Sequence, residues 1–143
     1  MKAKEWTLLT IALSRGGPLG PVQLQKSLFL LGQKMPVEMG TNFYTFEPYN
    51  YGPFSKQVYV DADELQAEGL VARVAHQGGD WEDYAATQEG VKKAGELSKN
   101  ISQKAVQYLQ NLVKWSAQQS FPDLVRWVYA NYPSYKANSL FVD

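Results

Sequence analysis

The chain has 143 residues, of which 45% are hydrophobic and 20% charged, and its formal net charge is zero. This length suits one domain with a buried core, and the composition excludes wholesale disorder or a collagen-like repeat. Cysteine is absent, which excludes disulfides, thiolate zinc sites and cysteine nucleophiles.

The first predicted element is a helix over residues 5–14, because its apolar side chains recur at helical spacing. The charged residues Glu5 and Arg15 flank the apolar run of residues 6–13, so it does not resemble a secretion signal. The apolar stretch 28–31 is far shorter than the roughly 20 residues that cross a bilayer. We therefore expect a soluble, cytoplasmic protein that does not associate with a membrane.

A second helix is predicted from Pro21, since proline is favoured at the first helical position. It ends at Gly32 or at the Met35-Pro36 step. A short extended piece over residues 43–46 then leads into residues 48–55, which we call the aromatic elbow.

The prolines and glycine of the aromatic elbow predict a rigid bend, because Gly-Pro and X-Pro steps oppose ordinary helix and strand continuation. A third helix follows, with Val58, Ala62 and Leu65 on one face, and Gly69 stops it.

A β-hairpin is predicted next, because the runs 70–75 and 82–86 flank the glycine-rich connection 76–81. We expect the hairpin to lie partly against the helices through these apolar residues: Leu70, Val71, Val74, Trp81 and Tyr84.

Capping residues place the last helices. Thr87 can cap the helix after the hairpin, and Asn100 with Gln103 predicts a capping box for a long helix to about residue 115. Ser120 with Asp123 predicts another box, ahead of a helix that ends at Tyr132-Pro133.

This element order predicts a mainly α fold with a small β-hairpin, an α+β class. Three helices followed by a hairpin form a winged-helix-like core over roughly residues 5–98. A helical extension over roughly residues 100–143 completes a single domain over residues 1–143.

Charge argues against DNA reading by this winged helix, because the predicted third helix and the hairpin are both acidic. The third helix sums to −3 and the hairpin to −2, and both would repel phosphate. Lysines gather instead outside the usual reading surface, where they form either a solvated helix face or a patch for nucleic acid or an acidic partner: Lys92, Lys93, Lys99, Lys104 and Lys114.

No catalytic signature is evident. His76 is the single histidine and lies in the hairpin loop without a nearby nucleophile in sequence. Only Asp61 and Glu64 of the third helix share a face that could suggest a metal site, and such acids usually face solvent. We expect no catalytic residue, no metal and no cofactor.

Three segments together resemble a known family: residues 24–31 (LQKSLFLL), 49–55 (YNYGPFS) and 65–71 (LQAEGLV). They look like the Panacea domain of SocA-like antitoxins and the related YwgA-like proteins. The likeness covers roughly residues 5–98 and continues more loosely into residues 132–139. It implies a non-enzymatic accessory protein that binds another protein, in several cases a toxin encoded beside it.

The sequence and this resemblance thus predict a protein-binding accessory protein, antitoxin-like or adaptor, for which the product of an adjacent gene is a candidate partner. The aromatic elbow is either structural or an interaction hot spot, and both roles can coexist. The candidate partner-binding residues are Tyr49, Tyr51, Phe54, Asp61, Asp63, Glu64 and Glu68. The candidate structural residues are Gly52, Pro53 and Ser55, with Gly52 or Ser55 capping the third helix.

Two alternatives remain open. A winged-helix DNA-binding regulator would use Gln23, Gln25, Lys26 and Lys56 together with the hairpin. An unrecognised hydrolase or metal enzyme would need carboxylates that converge in a pocket. The sequence leaves the oligomeric state undetermined.

Overall fold

Helices and two short antiparallel hairpins alternate along the computed structural model, which describes residues 1–15 and 17–142. The longer helices are α1 (Ala3–Ala12), α2 (Pro21–Lys34), α4 (Lys56–Ala67), α5 (Gln88–Ser98), α6 (Gln103–Ala117) and α7 (Phe121–Asn131). A four-residue helix, α3 (Pro36–Met39), follows α2, and a 3-10 turn (Pro133–Lys136) follows α7. The strands are β1 (Glu47–Tyr49), β2 (Gly52–Phe54), β3 (Val71–Ala75) and β4 (Glu82–Ala86).

The predicted class is confirmed: the fold is mainly α with small antiparallel sheets. Helices α1, α2 and α4 precede the β3–β4 hairpin, which is the element order of a winged helix. Leu19 adds a bridge to this hairpin, since its N–H and C=O each bond the backbone of Tyr84 at 2.8 Å. We call β3, β4 and their loop 76–81 the wing.

Helix α2 is the centre of the core, because α1 packs on it from one side and α6 and α7 pack on it from others. Every residue from Leu24 to Leu31 is buried. This stretch has no solvent face, so its polar side chains are withdrawn from water. Gln25 and Lys26 are buried and bond to the backbone of other segments, whereas the buried Ser27 hydroxyl has no hydrogen-bond partner among the described residues.

The wing has the predicted strands in a continuous register from Val71 opposite Ala86 to Ala75 opposite Glu82. Val71 and Tyr84 are buried against the helices, as expected. The expectation was wrong for Val74 and Trp81, which are 40% and 50% exposed. Both residues lie toward the loop end of the hairpin, beyond the reach of the helical core.

Local caps begin the last helices. The Thr87 hydroxyl accepts from Gly90 N–H at 3.0 Å, as predicted, and Ser120 accepts from Asp123 N–H at 3.2 Å, which is one of the two bonds of the predicted capping box. The capping box at Asn100 was wrong, because Ser102 caps α6 by accepting from the N–H of Ala105 at 3.1 Å. Helix α6 therefore starts after position 102.

The aromatic elbow is itself a short hairpin, whereas the sequence predicted that its Gly-Pro and X-Pro steps oppose ordinary strand continuation. Tyr49 pairs with Gly52 across a two-residue turn, and Pro48 then lies opposite Pro53. In an antiparallel pair, hydrogen-bonded and non-hydrogen-bonded positions alternate. The prolines occupy a position where no N–H is needed, so the ladder tolerates them. Residues 43–46 lead into β1, as predicted, and form no regular element of their own.

The tail after α7 runs back along the aromatic elbow. Leu140 N–H donates to Asn50 O at 2.7 Å, at the turn of the β1–β2 hairpin. Tyr129 Oη donates to Ser139 Oγ at 2.7 Å and ties the tail to α7. The tail therefore braces the turn of the elbow from outside the core.

Candidate functional site

The inner side of the aromatic elbow is anchored on α2. Gly52 and Pro53 are buried, and the ammonium Nζ of Lys26 donates to Pro53 O at 3.1 Å. Gly52 has φ +105°, and a Cβ at this position would lie 3.3 Å from Lys26 Cε. Glycine is required here because an L side chain rarely adopts this φ and would crowd the lysine.

Lys26 is a buried cation without a carboxylate partner among the ion pairs of the described residues. Its burial lowers the pKa of the ammonium to about 8. The carbonyl of Pro53 thus accepts a hydrogen bond from a charged group whose burial is energetically unfavourable.

Ser55 is fixed by its backbone. Its N–H donates to Gln25 Oε1 at 3.0 Å, and Gln25 Nε2 donates to Ser55 O at 2.8 Å. Of the two predicted caps, Ser55 occupies the N-cap position of α4, although its side chain makes no capping bond, and Gly52 lies inside β2 instead. Gly52, Pro53 and Ser55 are nevertheless the anchored residues of the elbow.

The outer side of the aromatic elbow presents its rings to solvent. Tyr49 is 52% exposed and stacks on Phe54 with ring centroids 4.9 Å apart. Tyr51 is 41% exposed and meets Phe121 edge-on at 5.2 Å. The elbow is therefore anchored by its inner atoms while its outer rings remain available for contact.

Asp61 was predicted to face a partner, but it is buried on the inner side of α4. Tyr44 Oη donates to Asp61 Oδ2 at 2.5 Å, and Gln57 Nε2 donates to Oδ1 at 2.9 Å. Burial raises the pKa of the Tyr44 hydroxyl well above its ordinary value, so the phenol keeps its proton. Asp61 is thus a structural acceptor and cannot reach a partner.

The remaining acids of α4 are exposed but paired with cations of the same chain. Arg73 of the wing pairs with Asp63. Lys4 of α1 bridges Glu64 at 3.3 Å and Glu68 at 2.7 Å. The negative potential of α4 is therefore weaker than its own sequence indicates, because cations from two other elements lie against it.

A groove of about 750 Å³ opens between the wing, the start of α2, the tip of the aromatic elbow and the start of α7. We call it the aromatic groove. Its lining is mostly apolar and comprises Gly20, Pro21, Val22, Gln23, Tyr51, His76, Trp81, Asp83, Gln119, Ser120, Phe121 and Leu124. Of the candidate partner-binding residues predicted from the sequence, Tyr51 alone is among its lining residues.

The wing side of the aromatic groove is held by a side-chain network around Asp83. His76 Nδ1 donates to Asp83 Oδ2 at 2.7 Å, and Trp81 Nε1 donates to Asp83 Oδ1 at 3.1 Å. The imidazole and indole rings also stack, with centroids 4.3 Å apart. From the sequence, His76 was expected to lie in the hairpin loop without a functional partner. No local sequence pattern indicates that His76 and Trp81 bond to the same carboxylate.

The residues of the DNA-binding alternative are mostly used inside the protein. Gln25 and Lys26 hold the aromatic elbow, as described above. Gln23 Oε1 accepts from Gly20 N–H at 2.8 Å, and its amide nitrogen reaches Ser116 O at 3.3 Å. Of these four residues, Lys56 alone is exposed. The set therefore offers few groups that could contact phosphate or bases.

Within residues 1–15 and 17–142, no three or more histidine, cysteine or acidic side chains converge as a metal site would require. Over the same residues, no helix combines the length and apolar character needed to cross a bilayer.

No protein-family model matches the chain, and no curated protein matches it. The resemblance to the Panacea domain therefore stays a prediction.

Proposed function

We propose that the protein is a non-enzymatic accessory protein that binds a partner protein, as an antitoxin or an adaptor does. The observation that carries this proposal is the aromatic groove with its exposed rings: Tyr51 is 41%, Trp81 50% and Phe121 41% exposed. Tyrosine and tryptophan are enriched among the residues that contribute most to interface energy, because they bury large rigid areas and keep a polar tip.

The exposed rings are held in place before any partner arrives. Trp81 is fixed by its stack on His76 and its bond to Asp83, and Tyr51 is fixed edge-on against Phe121. Side chains that are already ordered lose little conformational entropy on binding, so more of the contact energy becomes affinity. This supports a binding surface that requires no rearrangement of the fold.

The aromatic elbow offers a further exposed ring in Tyr49, which stacks on Phe54 and lies two positions before the groove-lining Tyr51 in the chain. The exposed acids Asp63, Glu64 and Glu68 contribute less than the sequence predicts, because each is paired within the chain. The family resemblance supports the product of an adjacent gene as the first partner to test, in a cytoplasmic setting.

Co-expression with the adjacent gene tests the proposal. The tagged protein should copurify with the neighbouring product and relieve any growth inhibition that the product causes alone. Tyr51→Ala and Phe121→Ala should each weaken the complex about tenfold or more, since each removes a ring whose burial contributes on the order of 1.5–3 kcal/mol. The proposal fails if the wild-type protein does not retain the product.

Trp127→Ala provides the matched control. Trp127 is 36% exposed and lies on α7, like Phe121, but it packs on Trp115 and does not line the aromatic groove. Its replacement should leave the complex intact. Equal losses from Trp127→Ala and Phe121→Ala would place the interface elsewhere.

A further inference from the structure

The aromatic groove has an unusual balance of charge. With His76 neutral, Asp83 is the single formal charge among its lining residues, and no lysine or arginine is among them. Asp83 is 8% exposed, so its carboxylate is poorly screened by solvent. An apolar groove that contains a poorly screened negative charge is complementary to a cation.

The rings of the groove favour the same kind of ligand. Trp81, Tyr51 and Phe121 all line the space, and the face of an aromatic ring carries negative potential. A cation over such a face is attracted by it. One face of the Trp81 ring is already stacked on His76, so a cation in the groove can meet the rings of Tyr51 and Phe121 and the remaining surface of Trp81. Rings and carboxylate together therefore select positive charge over neutral apolar groups.

Asp83 has acceptor capacity left for such a ligand. Each oxygen already accepts one bond, from Trp81 Nε1 and from His76 Nδ1. A carboxylate has about four acceptor sites, so each oxygen retains one. Gly20 lies beside this carboxylate, since a Cβ at that position would be 3.4 Å from Asp83 Oδ1, an ordinary contact distance.

We propose that the aromatic groove receives an arginine side chain of the partner protein, which deepens the proposed function and rests on it. Arginine fits better than lysine because a planar guanidinium stacks on aromatic rings, is more weakly hydrated and bonds carboxylates through several N–H donors. The partner is thus a protein that presents an exposed arginine beside apolar residues.

Blocked glycine peptides with one central residue test this inference on the purified full-length protein. The central residue is arginine, lysine or citrulline, which is the neutral isostere of arginine. Nuclear magnetic resonance titration follows the indole N–H of Trp81, assigned by its loss in Trp81→Phe. The arginine peptide should shift this signal and bind about fivefold or more tighter than the citrulline peptide, because citrulline lacks the charge.

Two variants test the contribution of an aromatic ring and that of the carboxylate separately. Phe121→Leu should weaken the arginine peptide about two- to fivefold, since it removes one ring. Asp83→Asn should reduce the preference of the groove for arginine over citrulline. Because Asp83 also orders the wing, Phe121→Leu provides a test that does not depend on the wing network. The control, Trp127→Leu, should leave the affinity unchanged.

Several outcomes would overturn the inference. Equal affinity for arginine and citrulline peptides would show that charge is not recognised. Shifts confined to residues outside the aromatic groove would place the cation elsewhere. Binding of choline without binding of the arginine peptide would indicate a small organic cation as the ligand. If the adjacent product copurifies while the arginine peptide fails to bind, the arginine inference falls and the partner-binding function stands.

Discussion

Replacing Lys26 with methionine measures the cost of holding a cation inside the protein. Lys26 is 4% exposed, and its hydrogen bond to Pro53 O is the one polar contact described for its ammonium. Methionine has similar length and flexibility but carries no charge, so it fills the same space without the electrostatic cost.

The pKa of Lys26 sets the magnitude. Burial lowers it from 10.5 to about 8, which corresponds to roughly 3 kcal/mol against the charged form. Methionine removes this cost but leaves Pro53 O without its donor, which costs about 1–3 kcal/mol. We therefore expect Lys26→Met to raise the free energy of unfolding at pH 7 by about 1 kcal/mol, within a range of zero to about 2 kcal/mol.

The pH dependence has a definite sign. Between pH 8 and 10.5 the unfolded chain keeps the lysine proton while the folded protein releases it, so wild-type stability rises with pH in this window. Lys26→Met lacks this gain. The difference in unfolding free energy between variant and wild type should therefore shift toward the wild type by up to roughly 3 kcal/mol as pH rises. Tyrosine ionisation affects both proteins alike and cancels in the difference.

Urea unfolding of both proteins across pH 7 to 10.5 provides the assay, with Lys56→Met as the control. Lys56 is exposed on the adjacent helix α4, so its replacement should leave the pH dependence unchanged. Parallel curves for wild type and Lys26→Met would refute the reasoning, because they would show that Lys26 keeps an ordinary pKa in the folded protein.

Four further substitutions probe other parts of the protein by urea unfolding. Gly52→Ala should destabilise by about 1–3 kcal/mol because of its positive φ and the nearby lysine, whereas Gly95→Ala on the open surface of α5 should stabilise by up to about 1 kcal/mol. Tyr44→Phe should destabilise by about 1–3 kcal/mol, since buried Asp61 loses a donor. Ser102→Ala should cost about 1 kcal/mol by removing the cap of α6.

Control substitutions show which results would contradict these expectations. Tyr49→Phe alters a half-exposed tyrosine and should stay within about 0.5 kcal/mol of wild type. Asn100→Ala should have an equally small effect, and a larger loss there than in Ser102→Ala would restore the capping box predicted from the sequence. A neutral Gly52→Ala would show that the elbow adjusts its backbone freely.

Features set by neighbouring residues were predictable from the sequence. The strands of the wing, the cap at Thr87 and the cap at Ser120 all depend on residues a few positions apart. The error at Asn100 has a local cause too: two polar residues near one helix start compete, and side-chain geometry selects Ser102. Such competition cannot be resolved by spacing alone.

The candidate site depended on contacts that sequence patterns do not show. Lys26 and Pro53 are 27 positions apart, and Asp61 meets Tyr44 across 17. The aromatic groove joins segments from residue 20 to residue 124, so no window along the chain contains it. The sequence contained one relevant pattern. The polar residues 25–27 lie between apolar residues of α2, and polar residues inside a buried helix need hydrogen-bond partners from other segments.

The reciprocal bonds between Gln25 and Ser55 limit how this protein can evolve. Position 25 requires a neutral side chain of this length that both donates and accepts a hydrogen bond, and its partner Ser55 lies 30 positions away in the chain. Glutamate would lose the donor, and asparagine is one methylene shorter. Replacement of Gln25 would therefore require a new set of contacts where the aromatic elbow meets α4. Few residues are tolerated at this position, although its side chain is buried and lies away from solvent.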